Sequence, residues 1–206
     1  MDDAVRYPRL MLIPAGRLLA RVRARSPRDD EISRLRARFS AQPSALWASR
    51  EERSLAMRLR DLKRAVSEAF AGTRSCHGCA CGEPLPKGRW DGGRCCGTNT
   101  FVVFTPAEVH ALKIGGTRAR DLVPPESDLA GCAFRGPLGC SLAAEDRPTV
   151  CLVYACAELK LEIRRDGAED GVNALRGELW STFEAFLRAA GVPPDRSPTP
   201  TTLVER

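Results

Sequence analysis

The sequence predicts an α+β fold, mostly helical and loop-rich, organised around a cysteine-rich metal core with short strands. Three observations predict it. Amphipathic helical patterns stand on both sides of the middle of the chain. All nine cysteines fall between Cys76 and Cys156. The stretch 72–151 also holds 12 of the 17 glycines and 7 of the 15 prolines, which suits irregular backbone wrapped around fixed points.

Taken in order, the chain divides into residues 1–73, a basic helical N-terminal arm; 74–157, a cysteine-cluster region; 158–192, a strand and C-terminal helix packing on the core; and 193–206, a Pro/Thr-rich tail expected to be disordered. The run Leu10-Met11-Leu12-Ile13 is a candidate short buried strand. Ser26-Pro27 starts a helix over 28–40, in which Ile32, Leu35 and Phe39 recur at helical spacing until Pro43 redirects the chain. A longer helix follows, opened by Ser49 and Glu52 at capping-box spacing. Its apolar stripe is Leu55, Leu59, Leu62, Val66, Ala69 and Phe70, and Gly72 is its stop. The β-branched and aromatic run Thr100 to Phe104 predicts a short strand, and Thr105-Pro106-Ala107-Glu108 then starts a short helix with Val109 and Leu112 facing inward. Leu159, Leu161 and Ile163 alternate with Lys160, Glu162 and Arg164, a half-buried strand pattern ending at Asp166-Gly167, with a continuing helix as the competing reading. A helix over 172–190 carries Leu175, Leu179, Phe183, Phe186 and Leu187 on one face and ends at Gly191.

At 206 residues the chain is long enough to bury a core, yet only 6% of it is aromatic and 28% charged, a lean supply of large core side chains. The net charge of +6 is uneven: residues 1–75 hold 17 Lys/Arg against 9 Asp/Glu, a balance of +8, while 76–206 hold 15 against 17, a balance of −2. Arg50, Arg53, Arg58, Arg60, Lys63 and Arg64 lie mostly off the apolar stripe of the second helix. The plain reading is a solvated face; the sharper one is a surface for nucleic acid or another acidic partner, without an aromatic platform or a DNA-reading motif to support it.

Many cysteines mean disulfides in an oxidising compartment or thiolate ligands in a reducing one. Asp2 and Asp3 open the chain, and Leu10 to Ile13 is cut short by Pro14 and Arg17, so we expect no signal peptide. No stretch approaches the roughly 20 apolar residues that span a bilayer. Nine is an odd number for complete disulfide pairing. A cytoplasmic metal protein, with no membrane partner, is the expectation.

The cysteines carry the chemistry. Cys76-His77-Gly78-Cys79 is a C-x-x-C knuckle in which two sulfurs grip one ion and a small residue lets backbone amides turn toward them. Cys81 follows, then a Gly/Pro/Arg-rich loop and the adjacent pair Cys95-Cys96. Neighbouring residues rarely aim both sulfurs at one tetrahedral centre, so the pair suggests two ions or a cluster. The second half adds Cys132, Cys140, Cys151 and Cys156, with Gly139-Cys140 and Arg147-Pro148-x-x-Cys151 supplying tight-turn chemistry. Nine cysteines within 81 positions is an unlikely outcome for ordinary buried thiols.

The order C-x-x-C, double Cys, Phe-Thr-Pro-x-Glu, C-x-Phe, Gly-Cys, Arg-Pro-x-x-Cys and a final Cys, over about residues 74–157, resembles the YkgJ family of bacterial cysteine-cluster proteins, described as zinc- or iron-chelating domains. The resemblance implies that Cys76, Cys79, Cys95, Cys96, Cys132, Cys140, Cys151 and Cys156 are metal ligands. Cys81 and His77 are further candidates. The chain departs from the usual compact spacing, because residues 82–94 intervene before the double cysteine, and Cys79, Cys81 and Cys95 compete for the middle position. A related pattern in the much longer flagellin lysine methylases raises methyl transfer as an analogy.

His110 reads as a surface or packing residue, and Glu108 is explained by helix capping although it matches the family's acidic position. Arg147 is placed to hydrogen-bond carbonyls of the cysteine loops or to offset thiolate charge. No dinucleotide fingerprint, phosphate loop, nucleophile elbow or H-E-x-x-H occurs. The expected function is metal binding through thiolates, with zinc as cofactor in a structural or chelating role. The alternatives are an iron or iron–sulfur redox protein and a metal-dependent group transferase; no acid/base pair or catalytic residue is evident for the latter.

Overall fold

The computed structural model describes residues 27–70, 73, 100–126, 131–136, 139–155 and 157–192. Helix α1 runs Pro27–Ala41, with Asp29 and Asp30 in its first turn and Arg38 in its last, charges that complement the helix dipole. Ile32, Leu35 and Phe39 form its buried edge. A single 3₁₀ turn, Ala45–Trp47, leads to helix α2, Arg50–Ala69. Its capping box is complete: Glu52 N–H donates to Ser49 Oγ at 3.1 Å and Ser49 N–H donates to Glu52 Oε2 at 2.6 Å. Helices α3 (Thr100–Val103) and α4 (Pro106–Ile114), a hairpin of two-residue strands β1 (Arg135–Gly136) and β2 (Gly139–Cys140), and helices α5 (Thr149–Val153), α6 (Ala157–Arg165) and α7 (Glu169–Ala189) complete the order.

Three apolar clusters carry the fold, the smallest formed by Ala155, Leu159, Ile163 and Val172. In the first, α2 and α7 lie against each other through Leu59, Leu62, Val66, Leu179, Phe183 and Phe186, closed by Ala111 of α4 and Leu152 of α5. In the second, the α1 edge meets Val103, Phe104, Val109, Leu122 and Phe134. Leu112 of α4, buried behind α2, belongs to this second group. Truncating a buried leucine or phenylalanine of either cluster to alanine costs about 2–5 kcal/mol through lost burial and the cavity left behind.

The fold expectation needs correction. The molecule is mostly helical, and among the described residues the strands amount to one antiparallel pair with Arg135 opposite Cys140 and Gly136 opposite Gly139. Its centre is aliphatic and aromatic, and no cysteine-rich metal core organises it: among the described residues no group of three or more His, Cys, Asp or Glu side chains is arranged to hold an ion. Thr100 to Phe104, expected as a strand, is helical because burial follows Thr100, Val103 and Phe104, the i, i+3, i+4 rhythm, while Val102 faces solvent. Residues 159–163 are helical for the same reason. Leu159 and Ile163 are buried four apart, whereas Leu161 is 50% exposed, so the apparent alternation does not mark one face. Asp166-Gly167 does end the element, but as a helix terminator: Gly167 has φ +69°, and Ala168 N–H returns to Ile163 O at 3.1 Å. The candidate strand at Leu10–Ile13, the stop at Gly72 and the tail 193–206 lie outside the described residues. Among the described residues no helix is long and apolar enough to cross a membrane.

Five of the six cations of α2 are engaged within the chain. Arg53 Nε donates to Ala48 O at 3.0 Å, Arg58 pairs with Glu178, and Arg60 Nη1 donates to Gly115 O at 2.6 Å. Arg60 and Arg64 converge on Glu145 at 3.2 and 2.8 Å. Lys63 is buried on the core side, its Nζ 2.5 Å from Glu108 Oε1. Thr149 Oγ1 donates to the same carboxylate oxygen at 3.3 Å, so one buried charge pair ties α2, α4 and α5 together.

Two predictions follow from these contacts. Lys63→Met leaves Glu108 buried without its cation and should destabilise the protein by about 3–5 kcal/mol, whereas Lys63→Met with Glu108→Leu should recover most of that loss; chemical denaturation of the three chains checks both. The Arg64 guanidinium beside Glu145 holds its carboxyl down at about 2, against 4.5 for an ordinary glutamate. A depressed folded-state value means stabilisation that is full above pH 4.5 and fades as pH falls toward 2. Glu145→Gln should therefore melt below the wild type at pH 7, and the gap should close in melts at pH 2.5.

Candidate functional site

Three of the expected ligands lie among the described residues, and all three, Cys132, Cys140 and Cys151, pack against the cluster built on Phe104 and Phe134. The Phe104 and Phe134 rings lie 5.4 Å apart at 54°, a tilted contact that fixes the floor beneath the sulfurs.

Cys132 opens a tight turn. Arg135 N–H donates to Cys132 O at 2.9 Å, closing residues 132–135. The chain then enters the β1–β2 hairpin, and Ser141 N–H returns to Phe134 O at 2.9 Å. The hairpin brings Cys140 close enough to Cys132 for their charges to oppose one another. Burial pushes the Cys132 thiol up to about 11, and negative charge on Cys140 or Glu31 adds to the rise. Such a thiol keeps its proton at neutral pH unless a cation takes the proton's place.

Cys151 sits on α5. Its N–H donates to Pro148 O at 3.0 Å, so the Arg-Pro-x-x-Cys motif forms the start of that helix with Pro148 at the N-cap. Arg147 Nε donates to Leu142 O at 3.2 Å, pinning the loop that follows Cys140. The motif thus joins the Cys140 loop to the helix bearing Cys151.

Thr100, the first residue of α3, stands beside Cys132. It is fully buried; its Oγ1 donates to Glu31 Oε2 at 2.5 Å, accepts the Ala133 N–H at 2.9 Å and lies 3.9 Å from Cys132 Sγ. Glu31 of α1 therefore reaches the cysteine turn across a large sequence separation. Neither residue carries a sequence signal for this role: Glu31 reads as one more acid near a helix start, and Thr100 as a strand former.

Cys76, Cys79, Cys81, Cys95, Cys96, Cys156 and His77 lie outside the described residues. Glu108 is not a returning cap. Its N–H donates to Thr105 Oγ1 at 3.2 Å, but its carboxylate goes to Lys63 and Thr149. His110 packs its ring 5.7 Å from that of Phe186, with Nε2 3.4 Å from Glu52 Oε1, on the α2–α7 side of the molecule.

Cys132, Cys140 and Cys151 stand on separate segments against one apolar cluster. Among the described residues no three His, Cys, Asp or Glu side chains are grouped so as to hold an ion, these cysteines included. No family model matches the chain, and neither a curated protein nor a solved structure is detectably similar to it.

Proposed function

We propose that this chain is a cytoplasmic metal-binding protein that takes zinc through cysteine thiolates, in a structural or chelating role. The observation that carries this reading is that Cys132, Cys140 and Cys151 pack against one apolar cluster, with Cys132 opening the turn that leads into the hairpin and Cys140 lying opposite Arg135 within it. Two neighbouring thiols that repel each other as anions become compatible when a dication lies between them.

Sequence order supplies the remaining donors. Cys96 precedes Thr100 by four residues, and Cys156 follows Cys151 by five. The resemblance to the YkgJ cysteine order selects the same residues: Cys76, Cys79, Cys95, Cys96, Cys132, Cys140, Cys151 and Cys156. Zinc, when bound, supplies a tetrahedral cross-link between chain segments at sulfur distances of about 2.3 Å, without redox chemistry of its own. The cytoplasm is the compartment in which nine cysteines stay reduced and available.

The test is metal content with an ultraviolet–visible spectrum on the full chain purified without oxygen. Eight thiolates at four per ion give an expected content of about two zinc ions per chain and no visible absorption. Cys132→Ser should lose roughly one of them. A chain free of metal would sink the proposal. Iron with sulfide and a broad band near about 400 nm would replace it with an iron–sulfur protein.

A further inference from the structure

We propose that Glu31 and Thr100 are positioning residues for Cys132, holding the 132–135 turn so that its sulfur faces an incoming metal ion; the inference rests on the thiolate-site reading above.

A threonine hydroxyl has one proton to give and lone pairs to accept with. At Thr100 the proton goes to Glu31 Oε2 at 2.5 Å, and the oxygen accepts the Ala133 N–H at 2.9 Å. The hydroxyl is thereby oriented from both sides in a fully buried setting. Its effect on Cys132 passes through the backbone. Fixing the Ala133 N–H fixes the peptide plane between Cys132 and Ala133, and the Arg135 N–H on Cys132 O fixes the far side of the same turn. With both ends held, the turn from which the Cys132 side chain projects keeps one backbone geometry.

Thr100 needs its acceptor: with its proton taken by Glu31 Oε2 at 2.5 Å, the hydroxyl oxygen presents lone pairs to the Ala133 N–H, and Cys132 Sγ lies 3.9 Å from the same oxygen. Hydrogen-bonded carboxylates that orient a metal ligand through an intermediate group are a recurrent arrangement, and losing one weakens metal binding by about 10–100-fold.

The experiment uses the full chain, with zinc alone as probe in competition with a chromophoric chelator, and cobalt(II) in place of zinc for the visible spectrum. Thr100→Val and Glu31→Ala should keep their helical circular dichroism, weaken the zinc lost in Cys132→Ser by about 10–100-fold, and shift the sulfur-to-cobalt absorption. Thr100→Ser, which keeps the hydroxyl, and Glu31→Gln, which keeps an acceptor oxygen, should restore affinity and spectrum to near wild type; these two also decide the matter if the harsher variants do not fold. Wild-type affinity in Thr100→Val and Glu31→Ala overturns the inference. So does Glu31→Gln binding as poorly as Glu31→Ala, which would assign Glu31 a direct role through its charge. A wild-type chain that binds no zinc fails the thiolate-site reading itself, a result distinct from either.

Discussion

The rest of the structure depends on one buried charge pair. Lys63 projects from the core side of α2, where its neighbours Leu59, Leu62 and Val66 are apolar, and its ammonium is compensated there by Glu108 with Thr149 as a further donor. An ammonium inside an apolar core is tolerated only when its partner is held in place. The pair therefore constrains three helices together. It sets the distance of α4 from α2, and through Thr149 it fixes α5, the helix that bears Cys151 two residues further on. The register between the α2–α7 half of the molecule and the cysteine-bearing half is thus electrostatic as well as steric.

The same economy governs the arginines. Arg36 donates to Ala119 O and Leu122 O at 3.3 and 3.1 Å, Arg28 to Pro125 O at 3.3 Å, and Arg38 to Phe104 O at 2.7 Å. Arg34 and Arg38 also lie over the Phe101 ring, their guanidinium carbons 5.1 and 4.8 Å from its centroid. Residues 117–126 contain little regular structure, and their carbonyls find in these side chains the partners that a helix or sheet would have supplied. Much of the positive charge of the first half of the chain is thereby explained as internal scaffolding. A polyanionic partner would have to compete with these contacts for the same guanidinium groups.

Legibility in the sequence followed the length of the pattern. The two long helices were readable because four or five turns of 3.6-residue spacing leave no competing period, and the Ser49–Glu52 box and Gly191 marked ends that the structure confirms, the latter with φ +63° and Val192 N–H on Leu187 O at 3.0 Å. Short segments were not. Over five residues at Thr100–Phe104 or 159–163, period 2 and period 3.6 share too many positions to be separated, and β-branched propensity yielded to tertiary packing. Lys63 was hidden for a different reason: it sits one position beyond Leu62 and reads as the edge of a polar face until the partner that compensates it is seen. Glu31 and Thr100 were hidden because their meaning lies in a contact spanning 69 positions, which no local pattern encodes.

Separating the cysteines from the core changes what a bound metal does for this protein. Had the thiolates been the organising centre, removing the ion would dissolve the fold, as in small zinc domains with almost no apolar interior. Here Leu59, Val66, Leu179 and Phe186 are buried in a cluster with no described cysteine packed against it, while Cys132, Cys140 and Cys151 line the border of the cluster that holds Leu35 and Leu122. On the proposed zinc-binding reading, an ion taken up at that border works against an existing apolar scaffold, so the metal can be gained or released without loss of the helical framework.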